Sequence, residues 1–288
     1  MDIGGHTRTY AVLGHPIGHT LSPAMHNAAL EALGMDAVYA AFDVEPANLM
    51  RTLSAMADMG FGGVNITVPL KQTAYRGLRK LDESAHLLGA VNTVKFLPGG
   101  MKGYNTDGQG FRCAIKEAFG LSLAGLSVFV IGAGGAGRAV AITCATNRAG
   151  SIALTDVESS RAGRVAREIR ATGYSGDIRL VPDKQEAWIA ACRNSELVVH
   201  ATPIGMKKGD KSLLPTRAFH RGQMVFDLVY MYPETALMRT ARKAGARVAN
   251  GLGMLMHQGA ASFEIWTGKK PPVKLMRKAL EKMVYGKK

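Results

Sequence analysis

The sequence predicts an α/β protein whose second half is a doubly wound nucleotide-binding domain. Short β-rich apolar runs alternate with helical periodicity through 288 residues, the pattern of helices laid on a sheet. Midway, Val128-Phe129-Val130-Ile131 runs into Gly132-Ala133-Gly134-Gly135-Ala136-Gly137, and Ala139-Val140-Ala141-Ile142 follows without a breaker. Gly132, Gly134 and Gly137 fit G-x-G-x-x-G, which lets a backbone turn tightly and bring a pyrophosphate to a helix N-terminus.

Taken in order, Thr9–Leu13 reads as a first strand ending at Gly14. Ser22-Pro23 reads as a helix start, cap then first helical position, stopped by Gly34. Ala37–Asp43 alternates as a second strand, and Pro46–Asp58 carries helical periodicity. Gly63–Thr67 is a strand closed by Pro69, with Lys71 opening a short helix. Asn92–Phe96 and Met101–Tyr104 flank Pro98-Gly99-Gly100 as a hairpin. A helix from Gln109 to Phe119 leads to the glycine loop. Beyond it, strands at Ser151–Thr155, Ile178–Val181, Leu197–His200, Val225–Asp227 and Arg247–Asn250 alternate with helical segments, and Gly251 opens a helix through Trp266.

Composition narrows the classes of function. A net charge of +14 favours anionic partners: nucleic acid, membrane surfaces, phosphorylated cofactors or carboxylates. Part of it lies in the tail from Lys269 to Lys288, where Val273, Met276, Ala279, Leu280 and Met283 recur at helical spacing, an amphipathic helix with a solvated basic face. No helix-turn-helix or aromatic signature supports nucleic-acid binding. No apolar run approaches the roughly 18 residues of a membrane span. Cys113, Cys144 and Cys192 are scattered, which disfavours a disulfide framework or zinc site. Met1–His6 carries no basic-then-apolar leader, so a reducing cytoplasm is expected. His15, His19 and His26 lie close together, but Pro16 and Gly18 prevent the helix that would align the first two, and no metal is expected.

Four polar clusters sit at loop or strand ends, where α/β folds place chemistry. Thr20 and Ser22 are a turn residue and a helix cap, or hydroxyls that suit a carboxylate at a helix N-terminus. Lys71, four residues after Thr67, opposes the dipole of the helix it opens; it is a solvated surface group or has a task. Asn92 fixes a strand start or binds a ligand, and Asp107 caps the next helix or does the same.

These clusters, in this order, resemble the motifs of the shikimate dehydrogenase family. The resemblance runs through Gly14–Asn27, Gly63-Val64-Asn65-Ile66-Thr67-Val68-Pro69-Leu70-Lys71, Ala90-Val91-Asn92-Thr93 and Asn105-Thr106-Asp107. After the glycine loop it continues through Ala201-Thr202-Pro203-Ile204-Gly205-Met206, Asp227-Leu228-Val229-Tyr230 and Gly251-Leu252-Gly253-Met254-Leu255 to Gln258. It implies reversible reduction of 3-dehydroshikimate to shikimate by a nicotinamide cofactor, with quinate and 3-dehydroquinate as a second pair. Lys71 is then the acid/base and Asp107 holds it together with a ring hydroxyl. Thr20 and Ser22 take the carboxylate, Thr67, Asn92 and Gln258 contact hydroxyls, and Tyr230 lines the same cleft. Gly132 through Gly137, including Ala133, Gly135 and Ala136, with Asp156, Arg161, Thr202, Leu228 and Gly251, hold the cofactor.

The same resemblance implies two lobes. Residues 1–106 form the substrate domain, 107–250 the Rossmann NAD(P)-binding domain, and 251–288 helices that return to the first, with a hinge near Asn105–Gly108 and Asn250–Gly251. Family members that use NADP carry Asn-Arg-Thr after the second strand of the nucleotide domain. Here Asp156 and Val157 replace the first two, and Arg161 remains. An acid there suits the two ribose hydroxyls of NAD and repels a 2′-phosphate; one like-charge pair at 4 Å costs about 4 kcal/mol at an effective dielectric of 20. NAD is therefore expected, with NADP the alternative, as in the branch that also oxidises quinate. His200, where asparagine is usual, and the Tyr232-Pro233 order depart from the family pattern. A monomer or homodimer acting on a small carbocyclic acid is expected. A dinucleotide-binding regulator without the reaction is the competing reading, disfavoured by Lys71, Asn92 and Asp107.

Overall fold

A computed structural model of the chain describes residues 3–286; Met1, Asp2 and the tail lysines Lys287 and Lys288 lie outside the described residues. Two compact units form, Met1–Gly110 with Leu255–Lys288, and Phe111–Met254. Each has its own buried core.

The first unit contains β1 (Arg8–Gly14), α1 (Ser22–Ala32), β2 (Ala37–Asp43), α2 (Leu49–Asp58) and β3 (Gly63–Ile66). It continues with α3 (Lys71–Gly77), β4 (Lys80–Leu81), α4 (Glu83–Leu88), β5 (Thr93–Leu97) and β6 (Gly100–Tyr104). The sheet runs β2-β1-β3-β5-β6-β4, with β1 parallel to β2 and β3, and β5 antiparallel to β3 and β6. Tyr10 through Leu13 are all buried, as expected of an inner strand covered on both faces. The β5–β6 hairpin closes through Gly99, whose φ of +79° only glycine adopts without strain.

Asp107–Phe119 (α5) leads to the second unit: β7 (Ser127–Ile131), α6 (Gly135–Thr146), β8 (Ser151–Thr155), α7 (Ser159–Ala171), β9 (Asp177–Leu180) and α8 (Gln185–Arg193). Then come β10 (Leu197–His200), β11 (Met224–Asp227), α9 (Ala236–Lys243) and β12 (Arg247–Asn250). All neighbouring strands are parallel, in the order β12-β11-β10-β7-β8-β9. Numbered within the unit, that is the 3-2-1-4-5-6 order of a Rossmann sheet, with its switch point between β7 and β10. Every residue of β10 and β11 is buried, which their apolar runs Leu-Val-Val and Met-Val-Phe require.

The last helices are α10 (Leu252–Thr267) and α11 (Val273–Tyr285). From Leu255 on they belong to the first unit. Trp266 donates its indole N–H to the Val94 carbonyl at 3.0 Å and stacks on Tyr10 with centroids 5.4 Å apart; α11 packs on α1. No helix among the described residues is long and apolar enough to cross a membrane.

Two expectations need correction, and two short elements come in addition. Ser22 is the first helical residue rather than the cap: Leu21 holds the cap position, and the Ser22 N–H is taken by the Thr20 hydroxyl at 3.3 Å. The helix expected from Gln109 begins at Asp107, because the Asn105 side chain accepts the Asp107 N–H at 2.9 Å and starts the turn early. Elements β4 and α4, two and six residues long, are too short for periodicity to register.

Candidate active site

Lys71 is the first residue of α3 and Asp107 the first of α5, both in the first unit. Lys71 Nζ donates to Asp107 Oδ2 at 2.6 Å, with the two side chains 28% and 13% exposed. The other carboxylate oxygen accepts from Asn92 Nδ2 at 2.9 Å. Asn92 is fixed in turn, its Oδ1 accepting the Thr106 N–H at 2.9 Å and the Thr93 hydroxyl at 2.8 Å. Gln258 Oε1 lies 3.4 Å from Asn92 Nδ2. An ammonium thus sits at a partly open position, backed by a carboxylate that its neighbours hold still. Asp107 does not spend its carboxylate on capping its own helix.

Below this cluster lies a layer that the motifs did not single out. Asn65 Nδ2, within β3, donates to the Asn92 carbonyl at 3.0 Å and to the Ser262 hydroxyl at 3.0 Å. Its Oδ1 accepts from the Tyr39 hydroxyl at 2.7 Å. Ser22 hydrogen-bonds Tyr39, opposing the burial that raises the phenol well above its ordinary value. A hydrogen-bonded chain therefore runs Ser22–Tyr39–Asn65–Asn92–Asp107–Lys71. The sequence signal was available: Asn65 is polar in the middle of an otherwise apolar strand. Thr67 sits beyond β3, close enough to Gly14 that a Cβ there would meet its methyl at 2.6 Å.

His26 lies beside this layer, fully buried, stacked on Tyr39 with centroids 4.3 Å apart. Neither ring nitrogen has a hydrogen-bond partner, and burial pushes its pKa down to about 3. Among the described residues no group of His, Cys, Asp and Glu could hold a metal ion.

Tyr230 belongs to the second unit, where burial raises its phenol. The remaining expected residues are also there, at the C-terminal ends of its strands, the side on which doubly wound sheets bind ligands. Gly132 has φ +101°, and a Cβ on it would stand 2.8 Å from the Ala201 carbonyl oxygen and 3.0 Å from the Thr202 methyl. A Cβ on Gly137 would collide with the Gly132 carbonyl, and one on Gly251 with that of Leu228. In front of Gly134 and Gly135, by contrast, the space is open, at the start of the twelve-residue α6. This cradle of free backbone N–H groups fits a dinucleotide pyrophosphate.

At the end of β8, Asp156 is only 9% exposed. Its Oδ2 accepts the Ala133 N–H at 2.7 Å and its Oδ1 the Glu158 N–H at 2.9 Å. Asp156 therefore ties the glycine loop to the following turn. Arg161 pairs with Glu158 at 2.7 Å, both about half exposed, and Val157 is 77% exposed.

Comparison with known proteins shows the family. Residues 12–94 match the shikimate dehydrogenase substrate binding domain, and residues 251–281 match the shikimate 5′-dehydrogenase C-terminal domain. A shikimate dehydrogenase (NADP(+)) of Methanopyrus kandleri is 40% identical, over 97% of each chain. The chain belongs to the shikimate dehydrogenase family. Among solved structures of the family, shikimate 5-dehydrogenase from Listeria monocytogenes, in complex with shikimate and NAD, superimposes with a TM-score of 0.91. It is 35% identical, over 97% of this chain and 98% of that one. Quinate dehydrogenase from Corynebacterium glutamicum, in complex with NAD, gives a TM-score of 0.87 at 33% identity, over 95% and 98%. The family therefore includes chains named for NADP and chains bound to NAD, and names alone do not choose the cofactor.

Proposed function

We propose that this protein catalyses reversible hydride transfer between a nicotinamide cofactor and shikimate or 3-dehydroshikimate, and also accepts quinate. The observation that carries the reading is the 2.6 Å Lys71–Asp107 pair, held by Asn92. The bound nicotinamide supplies or accepts the hydride. Lys71, as the ammonium, donates a proton to the ketone oxygen during reduction and takes the alcohol proton during oxidation. Its positive charge stabilises negative charge developing on that oxygen. Asp107 keeps Nζ in place and accepts from a ring hydroxyl. The substrate carboxylate is held by Thr20 and Ser22 at the start of α1, with Thr67, Asn92 and Gln258 on the hydroxyls and Tyr230 also lining the site. A pure dinucleotide-binding regulator would need none of this machinery.

Residues Gly132–Gly137 hold the pyrophosphate, with Thr202, Leu228 and Gly251 at neighbouring strand ends. NAD is the preferred cofactor on this reading. The negative charge of Asp156 lies at the end of β8, and Glu158 adds a second carboxylate two residues on. The one arginine retained there is already paired with Glu158, so a 2′-phosphate would meet two acids and no free guanidinium from this turn. Initial rates with shikimate and quinate, each with NAD and NADP, test the assignment. A tenfold advantage for NADP in kcat/KM would overturn the cofactor preference, and absence of turnover in every combination would overturn the activity. The setting is the cytoplasm, and the enzyme acts as a monomer or homodimer.

A further inference from the structure

Strands β10 and β11 end side by side on His200 and Asp227, which are partners in the ladder register. Both side chains are only 1% exposed, and His200 Nδ1 lies 2.8 Å from Asp227 Oδ1. The same carboxylate accepts the Val229 N–H at 3.0 Å and, through Oδ2, the Thr235 hydroxyl at 2.6 Å. Both oxygens of Asp227 already accept, so the hydrogen between Oδ1 and Nδ1 is carried by His200. The opposite nitrogen, Nε2, stands 2.5 Å from the Thr202 hydroxyl. Thr202 is itself half-buried and borders Gly132 of the glycine loop.

A neutral imidazole protonated on Nδ1 has only a lone pair on Nε2. Thr202 must then give its single hydroxyl proton inward, and it turns only lone pairs toward other partners. The Ile204 N–H, 3.3 Å from Thr202 Oγ1, is such a donor.

We propose that His200 is a neutral imidazole, fixed by Asp227, and a positioning residue that makes the Thr202 hydroxyl an acceptor-only contact for a hydrogen-bond donor of the bound dinucleotide. The proposal rests on the reading of this unit as the cofactor site. It identifies the group met by Thr202 as an amide N–H or a sugar hydroxyl, because a phosphate oxygen would bring lone pair against lone pair. No motif reasoning reaches this role, since His200 departs from the residue usual in the family.

The test has two parts, both on the full-length protein. In the first, ¹⁵N-histidine spectra of wild type and His200→Asn identify the His200 signals. The expected result is a protonated Nδ1 and a bare Nε2; a protonated Nε2 overturns the proposal. In the second, calorimetry measures binding of NAD and NADP to wild type, Thr202→Val, His200→Asn and the double variant. Each single substitution is expected to weaken binding by about three- to tenfold, the range set by one lost hydrogen bond. The double variant should bind no more weakly than Thr202→Val alone. Independent, additive losses would mean that His200 acts only structurally, and an unchanged Thr202→Val would remove the cofactor contact; either overturns the proposal. A wild-type protein that binds neither dinucleotide overturns instead the cofactor reading beneath it.

Discussion

Lys71 Nζ and Asp107 Oδ2 stand 2.6 Å apart although 36 residues separate them in sequence. They meet because two helices begin at the same end of one sheet, α3 after β3 and α5 after β6, two strands that run in the same direction on either side of β5. Replacing Asp107 by Asn keeps the shape but leaves the ammonium without its counter-charge. A hydrogen bond to a charged group is worth about 1.5–3 kcal/mol, so Asp107→Asn should lower kcat/KM for shikimate by about 10- to 100-fold. Steady-state kinetics checks this, with circular dichroism to confirm folding.

The layer under the pair should matter more for stability than for chemistry. Tyr39→Phe removes a buried donor from Asn65 Oδ1, and Asn65→Leu leaves the buried Tyr39 hydroxyl without its acceptor. Losses of about 1 kcal/mol and about 2–3 kcal/mol follow, the cost of unsatisfied buried groups. Denaturant titration measures both.

His26 gives the protein an acid-side weakness. Its folded pKa of about 3 lies below the ordinary 6.5, so between those values the unfolded chain binds a proton that the folded chain excludes. Stability therefore falls as pH drops from about 6.5 toward 3, by about 1.4 kcal/mol per unit. In His26→Phe that contribution is gone. Unfolding at pH 7 and pH 5 should differ by about 2 kcal/mol less in the variant than in wild type.

Cofactor choice should turn on the loop after β8. Asp156 is occupied by the Ala133 and Glu158 N–H groups, so its neighbours are the safer positions to change. Val157→Arg combined with Glu158→Thr supplies a guanidinium and removes an acid. The ratio of kcat/KM for NADP over NAD should rise by about tenfold or more, a change of roughly 1.4 kcal/mol.

Much of this was legible in the sequence, and what was not has physical reasons. The β7–loop–α6 unit announces itself because glycine is demanded wherever a Cβ would strike a backbone carbonyl, as at Gly137. The buried strands β10 and β11 are visible as apolar runs. Sheet order in the first unit is not, because β1 meets β3 across two intervening helices and a strand while β4 joins the far edge. The partners of Asp156 are backbone N–H groups, which leave no trace in residue identity. Ser22 reads as the cap of α1 because Ser-Pro is a common helix opening, yet Leu21 holds that position and the Thr20 hydroxyl, two residues before Ser22, accepts the Ser22 N–H. Asn65 was quoted within its motif but given no role; its importance emerges only when Tyr39 and Ser262, from distant segments, arrive beside it.

The most direct measurement is shikimate oxidation with NAD by wild type and Lys71→Ala, with shikimate binding followed separately by calorimetry. Turnover by the wild type, a loss of about 10²–10⁴-fold in kcat in the variant, and nearly unchanged shikimate affinity are predicted. Near-wild-type turnover without the lysine would contradict the account.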